Sequence, residues 1–179
     1  MNHLGRAQWW LAQFSEQERE YIESVVASVL ATQWLYPLAG WFRKKPEDRA
    51  LAQRILDRAE EEALFAHDIM SQHYTYQEMI QLNYRWRDEF PDALDSAITA
   101  CRKQIAIAPQ VSVAWKAESY GHPLLFHVGY EQLAIILEKQ KAYSEAIDLC
   151  RQGESEGWSN DWAKRSQRLR RKADRVTSE

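Results

Sequence analysis

Two stretches of this chain share one helical spacing, and that repetition restricts the possible folds more than any other feature. In Gly129 to Gly153, GYEQLAIILEKQKAYSEAIDLCRQG, the residues Tyr130, Leu133, Ala134 and Leu137 fall on one face of a first helix. A tight turn at Lys141-Ala142-Tyr143 follows, and Ala146 and Cys150 fall on one face of a second helix. An earlier window does the same with Met79, Leu82, Asn83 and Trp86, then Ala97 and Cys101. The first four positions are spaced identically in both windows, and so is the Ala-to-Cys step. The earlier link between helices is two residues longer, where Phe90-Pro91 sits. A helix pair of this kind cannot bury its apolar face alone, so two copies imply stacking around a shared core.

Composition agrees with a helical chain. Six Gly and five Pro in 179 residues are too few turn-formers for a many-stranded fold. No low-complexity tract signals long disorder, and the length suffices to bury a core without staples. The expected fold is all-α, with about seven helices read from apolar periodicity. Ser15-Glu16-Gln17-Glu18 fits a capping box. The helix it opens carries Ile22, Val25, Val26, Val29, Leu30 and Gln33 on one stripe, and Pro37 is expected to end it near Tyr36. Pro46 with Glu47 and Asp48 opens the next helix. Its inward stripe is expected at Leu51, Ile55, Ala59, Glu62 or Ala63, Ala66 and Met70, with Glu60-Glu61-Glu62 on a solvated face.

Later helices are expected from Tyr74 to Asp88 and from Asp92 to Ile107, with Pro109 stopping the second. Gln110 to Phe126 is less regular, with a short helix over Val111 to Glu118. Ser159 or Asn160 caps a last helix with a narrow seam of Trp162, Ser166, Leu169, Ala173 and Val176. Residues 1–73 thus form a Trp-rich N-terminal helical region, including the apolar knot Trp9, Trp10, Leu11 and Phe14, packed on a stack over 74–179.

The duplicated pattern of a large residue, Leu, a small residue and a large residue, followed by a small Ala, resembles the tetratricopeptide repeat, a helix–turn–helix unit of about 34 residues. The segment Tyr143-Ser144-Glu145-Ala146-Ile147 carries the resemblance best, and Pro109 sits where such a repeat ends. Trp158 takes the corresponding place in the second copy, and the 110–126 insertion separates the two. The resemblance implies an antiparallel helix-pair stack whose first helices line a concave face that receives a peptide or helix of another protein. Carried over by position, that lining is Gln77, Ile80, Tyr84 and Arg87 in one copy. In the other it is Val128, Glu131, Ile135, Glu138 and Lys139. Such a mixture suits an amphipathic segment. The other reading is that helices of the same chain cover this face.

No sequence motif nominates a reaction. Walker, Gly-x-Gly-x-x-Gly and Gly-x-Ser-x-Gly signatures are missing from the sequence, and no cofactor is expected. Cys101 and Cys150 occupy equivalent repeat positions, which makes them packed interior thiols. His3, His67, His73, His122 and His127 lack ligand spacing, so no metal site is expected. The chain is therefore expected to be a non-enzymatic adaptor in a reducing cytoplasm.

The rival signal is the basic end, where Lys164, Arg165, Arg168, Arg170, Arg171, Lys172 and Arg175 face one acid, Asp174, within 163–175. These cations are expected to surround the last helix as a solvated cap. Contact with nucleic-acid phosphates is the alternative, against a net charge of -3 for the whole chain. From Ser24 to Phe42 no residue is charged, and Arg43-Lys44-Lys45 follows. Ser24, Ser28, Thr32, Gln33, Pro37 and Gly40 within that run favour a core helix with an aromatic turn over a membrane span. Oligomeric state stays open.

Overall fold

The structure, a computed structural model, describes residues 15–17, 20, 33–119 and 122–177. Seven α-helices follow one another: α1 (Arg49–Phe65), α2 (Ile69–Arg85), α3 (Ala93–Ala106), α4 (Ala108–Glu118), α5 (Val128–Lys139), α6 (Tyr143–Ser155) and α7 (Trp162–Thr177). A 3-10 turn, Pro46–Asp48, leads into α1, and residues 33–41 are helical as well. No strand occurs among the described residues. The fold is all-α. The knot at Trp9 to Phe14, the stripe from Ile22 to Leu30 and the first part of the uncharged run from Ser24 lie outside the described residues.

The helices form two layers. The rings of His73, near the start of α2, and His127, at the start of α5, have centroids 5.1 Å apart. At the opposite ends, Lys139 Nζ of α5 donates to Tyr84 Oη of α2 at 2.9 Å. Thus α2 and α5 run parallel. Arg165 and Arg168 of α7 reach Glu131 and Glu138 of α5, each at 2.7 Å, so α7 continues the row in the same direction. In the second layer, Lys103 of α3 reaches Glu60 of α1 at 2.7 Å. Arg102 of α3 borders a shared depression with Glu145 and Asp148 of α6. Sequence neighbours cross between the layers as antiparallel pairs: Gln104, near the end of α3, donates to the carbonyl of His73, near the start of α2, at 2.9 Å. The division expected between residues 73 and 74 falls inside α2.

Two apolar clusters fill the space between the layers. One centres on Leu56, Tyr76, Ile80, Leu82 and Trp86, the other on Tyr130, Ile147, Trp158, Trp162 and Leu169. Ile105, Ile107, Leu137 and Leu149 touch both. The repeat positions Met79, Leu82, Asn83 and Trp86 are all buried, as are Tyr130, Leu133 and Ala134. Leu137 is half-buried at the seam between the clusters.

Several local expectations are corrected. The inward stripe of α1 is Ala52, Leu56, Ala59 and Ala63, while Leu51 is exposed. Three small residues on that face let α1 lie close against α2, and the bulkier Leu51 and Ile55 flank it. Glu60 is not simply solvated, because it pairs with Lys103, and its charge and hydrogen bond add to burial in raising the Tyr76 hydroxyl pKa. Pro37 does not end the helix at Tyr36, since residues 33–41 run through it. Burial of Ala39, the stacking of Tyr36 on Tyr74 at 5.5 Å and the Arg43–Glu78 ion pair at 2.9 Å hold the segment despite the hydrogen bond that proline forgoes. α2 begins at Ile69, earlier than expected, because Asp68 caps it by accepting from Ser71 N at 3.0 Å. Pro109 opens α4 rather than merely closing α3.

One turn is used three times. After α1, Ala66, His67 and Asp68 donate to the carbonyls of Glu62, Leu64 and Ala63. Gln140, Lys141 and Ala142 repeat the pattern after α5, and Glu156, Gly157 and Trp158 after α6. This is the Schellman arrangement, which needs one left-handed residue. Gly157 supplies it at φ 85°, whereas His67 and Lys141 adopt φ 52° and 62° with a Cβ present. Lys141→Gly is therefore expected to raise stability by about 0.5–1 kcal/mol, read as a higher urea midpoint at unchanged slope. A lowered midpoint would show that the lysine stem contributes more than the backbone strain costs.

The closest crossing is at Gly129. A Cβ there would sit 2.8 Å from Gln104 Oε1 and 3.1 Å from the Cys101 carbonyl. The same Gln104 oxygen accepts from Gly129 N at 2.7 Å, so one fully buried amide ties α3 to both α2 and α5. Cys101 and Cys150 are buried and unbridged. Burial pushes the Cys101 thiol up to about 12 and that of Cys150 in the same direction, which disfavours the reactive thiolate.

Candidate interaction groove

The surface where α7 meets α5 gathers most of the charge singled out in the sequence. Trp162, Ser166 and Leu169 are buried and Ala173 is half-buried, which turns the rest of α7 outward. Lys164, Arg165, Arg168, Arg171, Lys172 and Arg175 recur every three or four residues beside that seam. All six line one groove of about 590 Å³, together with Glu131, Asn160, Asp161 and Gln167. The expectation that the cations surround the helix is thus corrected, and Arg170 alone of the seven is outside the groove lining.

The six form two rows. In the inner row, Arg165 pairs with Glu131 at 2.7 Å, and Arg168 and Lys172 pair with Glu138 at 2.7 and 2.8 Å. Burial pushes the Glu138 carboxyl up, but the hydrogen bonds and charges of Lys172 and Arg168 outweigh it, and the carboxyl sits below its ordinary value. In the outer row, Lys164, Arg171 and Arg175 are exposed and form no ion pair with the described residues.

The residues expected to line a groove by position divide into three groups. Glu131 and Glu138 meet α7 as described, so part of that face is covered by a helix of the same chain. Tyr84, Arg87 and Lys139 form a second cluster at the far ends of α2 and α5. There the Arg87 guanidinium lies 4.2 Å from the Tyr84 ring centroid, and its Nη1 donates to the Tyr84 carbonyl at 2.7 Å. Ile80 is fully buried between the layers and is removed from any lining, because the α2 face assigned to the groove turns inward at that point. Val128 packs on the first apolar cluster, Ile135 is half-buried, and Gln77 borders a different cavity.

That cavity, about 320 Å³, is walled by Met70, Tyr74, Val111, Trp115, Phe126 and Trp158, with His73 at its side. Beneath it lies a histidine pair that the sequence did not single out for this role. Burial lowers His73 to about 4 and, joined by the repulsion of His73, lowers His127 to about 3. Both are neutral near pH 7. His127 caps α5 by accepting at Nδ1 from Tyr130 N, at 3.4 Å, which assigns its proton to Nε2. That nitrogen has no hydrogen-bond partner. The Trp158 ring crosses the imidazole at 68° with centroids 4.6 Å apart.

Sequence spacing could have found the inner row, because Glu131 and Glu138 stand seven residues apart, two helical turns, and so do Arg165 and Lys172. Gln104 and Glu156 carried no signal. Glu156 accepts from Tyr130 Oη at 2.8 Å and from Trp158 Nε1 at 2.9 Å, contacts that only the packed helices bring together. No described helix is long and apolar enough to cross a membrane. Compared with protein-family models, with curated proteins and with solved structures, the chain finds no match.

Proposed function

We propose that this chain is a non-catalytic interaction protein that holds a peptide or helix of a partner protein along the surface built from α2, α5 and α7. We read its helix pairs as tetratricopeptide-like. The observation that carries the proposal is the parallel row α2–α5–α7, with Tyr84, Glu131, Glu138, Lys139 and the α7 cations distributed over it and a groove where α7 meets α5. Amphipathic partner helices are held in grooves of this kind by apolar and charged contacts together. The two unbridged cysteines support a cytoplasmic setting.

The test is affinity purification from the native host with the full chain and with Tyr84→Ala/Glu131→Ala. Both side chains are only half-buried, so the double variant is expected to lose about 2 kcal/mol of stability or less. Protein partners should be recovered with the wild type and depleted about tenfold with the variant. Recovery unchanged by the variant would count against this surface.

A second reading, a nucleic-acid-associated accessory protein using α7, is favoured by the placement of six cations on one face. Against it, Glu131 and Asp161 line the same groove and would repel phosphates. No aromatic side chain lines it to stack on bases.

A further inference from the structure

The outer cations of α7 have a pattern that the protein itself shows how to satisfy. On the inner flank, α5 runs parallel to α7 and offers carboxylates at Glu131 and Glu138, two helical turns apart. They meet Arg165 at one level and Arg168 with Lys172 at the next. In the outer row, which lines the same groove, Lys164 and Arg171 repeat that two-turn step, and Arg175 follows one turn later. Side by side, two α-helices share one rise per residue, so a carboxylate spacing that matches one row of α7 cations matches the other.

We infer that the partner segment is an acidic helix. It lies along α7 over the groove shared with α5, with carboxylates seven and then four residues apart facing Lys164, Arg171 and Arg175. The inference rests on reading the chain as an interaction protein and names the chemistry of its partner. Charge complementarity argues for this occupant. Six cations line the groove against the acids Glu131 and Asp161, and Glu131 and Glu138 pair only with the inner row, so the groove keeps a net positive charge in a chain whose total is -3. A partner with matching carboxylates associates faster and with a salt-dependent rate. The acids already in the groove weigh against a uniform line of phosphates, which has no means of avoiding them.

The test uses the full chain and a fluorescent, alanine-based peptide of about twenty residues, long enough for appreciable helix. It carries glutamates at the α7 spacing. The comparison peptide has the same composition with the glutamates spread around the helix. A duplex of about twenty base pairs, at about 0.15 M salt, is the third probe. The matched peptide should bind at least about tenfold more tightly than its comparison. Lys164→Glu/Arg171→Glu/Arg175→Glu should remove that preference without lowering the melting temperature by more than a few degrees, because these side chains form no ion pair among the described residues. If the triple variant melts early, Arg171→Ala alone should still weaken the matched peptide several-fold. Equal affinity for the two peptides would overturn the inference, as would a duplex that binds more tightly than either peptide and is lost in the triple variant. Should host partners be lost with Tyr84→Ala/Glu131→Ala but kept by the triple variant, the interaction reading stands and the acidic helix falls.

Discussion

Trp162→Ala is expected to lower the unfolding free energy by about 3–5 kcal/mol, the range for removing a large buried aromatic side chain. The indole is 3% exposed and lies against Gly153 of α6, where a Cβ would come within 3.0 Å of the ring. Its Nε1 donates to the Trp158 carbonyl at 2.6 Å, and its ring meets Tyr130 edge-on with centroids 6.2 Å apart. No residue elsewhere on α7 replaces that anchor, because Ser166 and Leu169 are the only other described α7 side chains fully inside. The loss should therefore be local first. Amide exchange across 162–177 is expected to accelerate well before that of α2 and α3. A cost below about 1 kcal/mol, or exchange that rises evenly along the chain, would show that α7 is held chiefly by its ion pairs with α5.

Acid should weaken the fold early, and the cause is the buried histidine pair. An unfolded histidine titrates near 6.5, whereas in the fold His73 is held down to about 4 and His127 to about 3. Both folded values are depressed below the unfolded one, so the unfolded chain binds more protons throughout the interval between them. Stability is therefore complete above about pH 6.5 and is lost as pH falls. The loss continues to about pH 4 for His73 and about pH 3 for His127. Each imidazole contributes a slope of up to about 1.4 kcal/mol per pH unit. Protonation also removes the lone pair with which His127 caps α5. Urea midpoints measured from pH 8 to pH 4 should decline below pH 6.5, and His73→Gln should flatten part of that decline. A midpoint that stays level between pH 7 and pH 5 would mean that the folded protein accommodates the charged imidazoles.

The helices were legible because helical period is a local property. The positions Tyr130, Leu133 and Ala134, and their counterparts from Met79 to Trp86, identify a buried face without reference to any other element. The same holds for Trp162, Ser166 and Leu169 on α7. Which of two adjacent stripes turns inward is less local. On α1 the sequence favours Leu51 and Ile55 by size, but close approach to α2 selects Ala52 and Leu56 beside the expected Ala59 and Ala63. The groove fared similarly. Glu131, Glu138, Tyr84 and Lys139 were assigned to a lining by the tetratricopeptide resemblance, and of these Glu131 borders the groove beside α7, whereas Ile80 was assigned to a surface it does not reach. The pairing of Glu131 with Arg165 depends on the register between two helices 34 residues apart in sequence, which no single helix encodes.

Gln104 shows how strict such register can make one position. Its amide nitrogen donates to the His73 carbonyl and its oxygen accepts from Gly129 N, in a site with no exposure to water. A glutamate of equal length has no hydrogen to donate once ionised, a leucine has neither group, and an asparagine is one methylene shorter. The alphabet of side chains thus holds one letter that spells all three helices at this point. The space left by the missing Cβ of Gly129 fixes the letter opposite it as well.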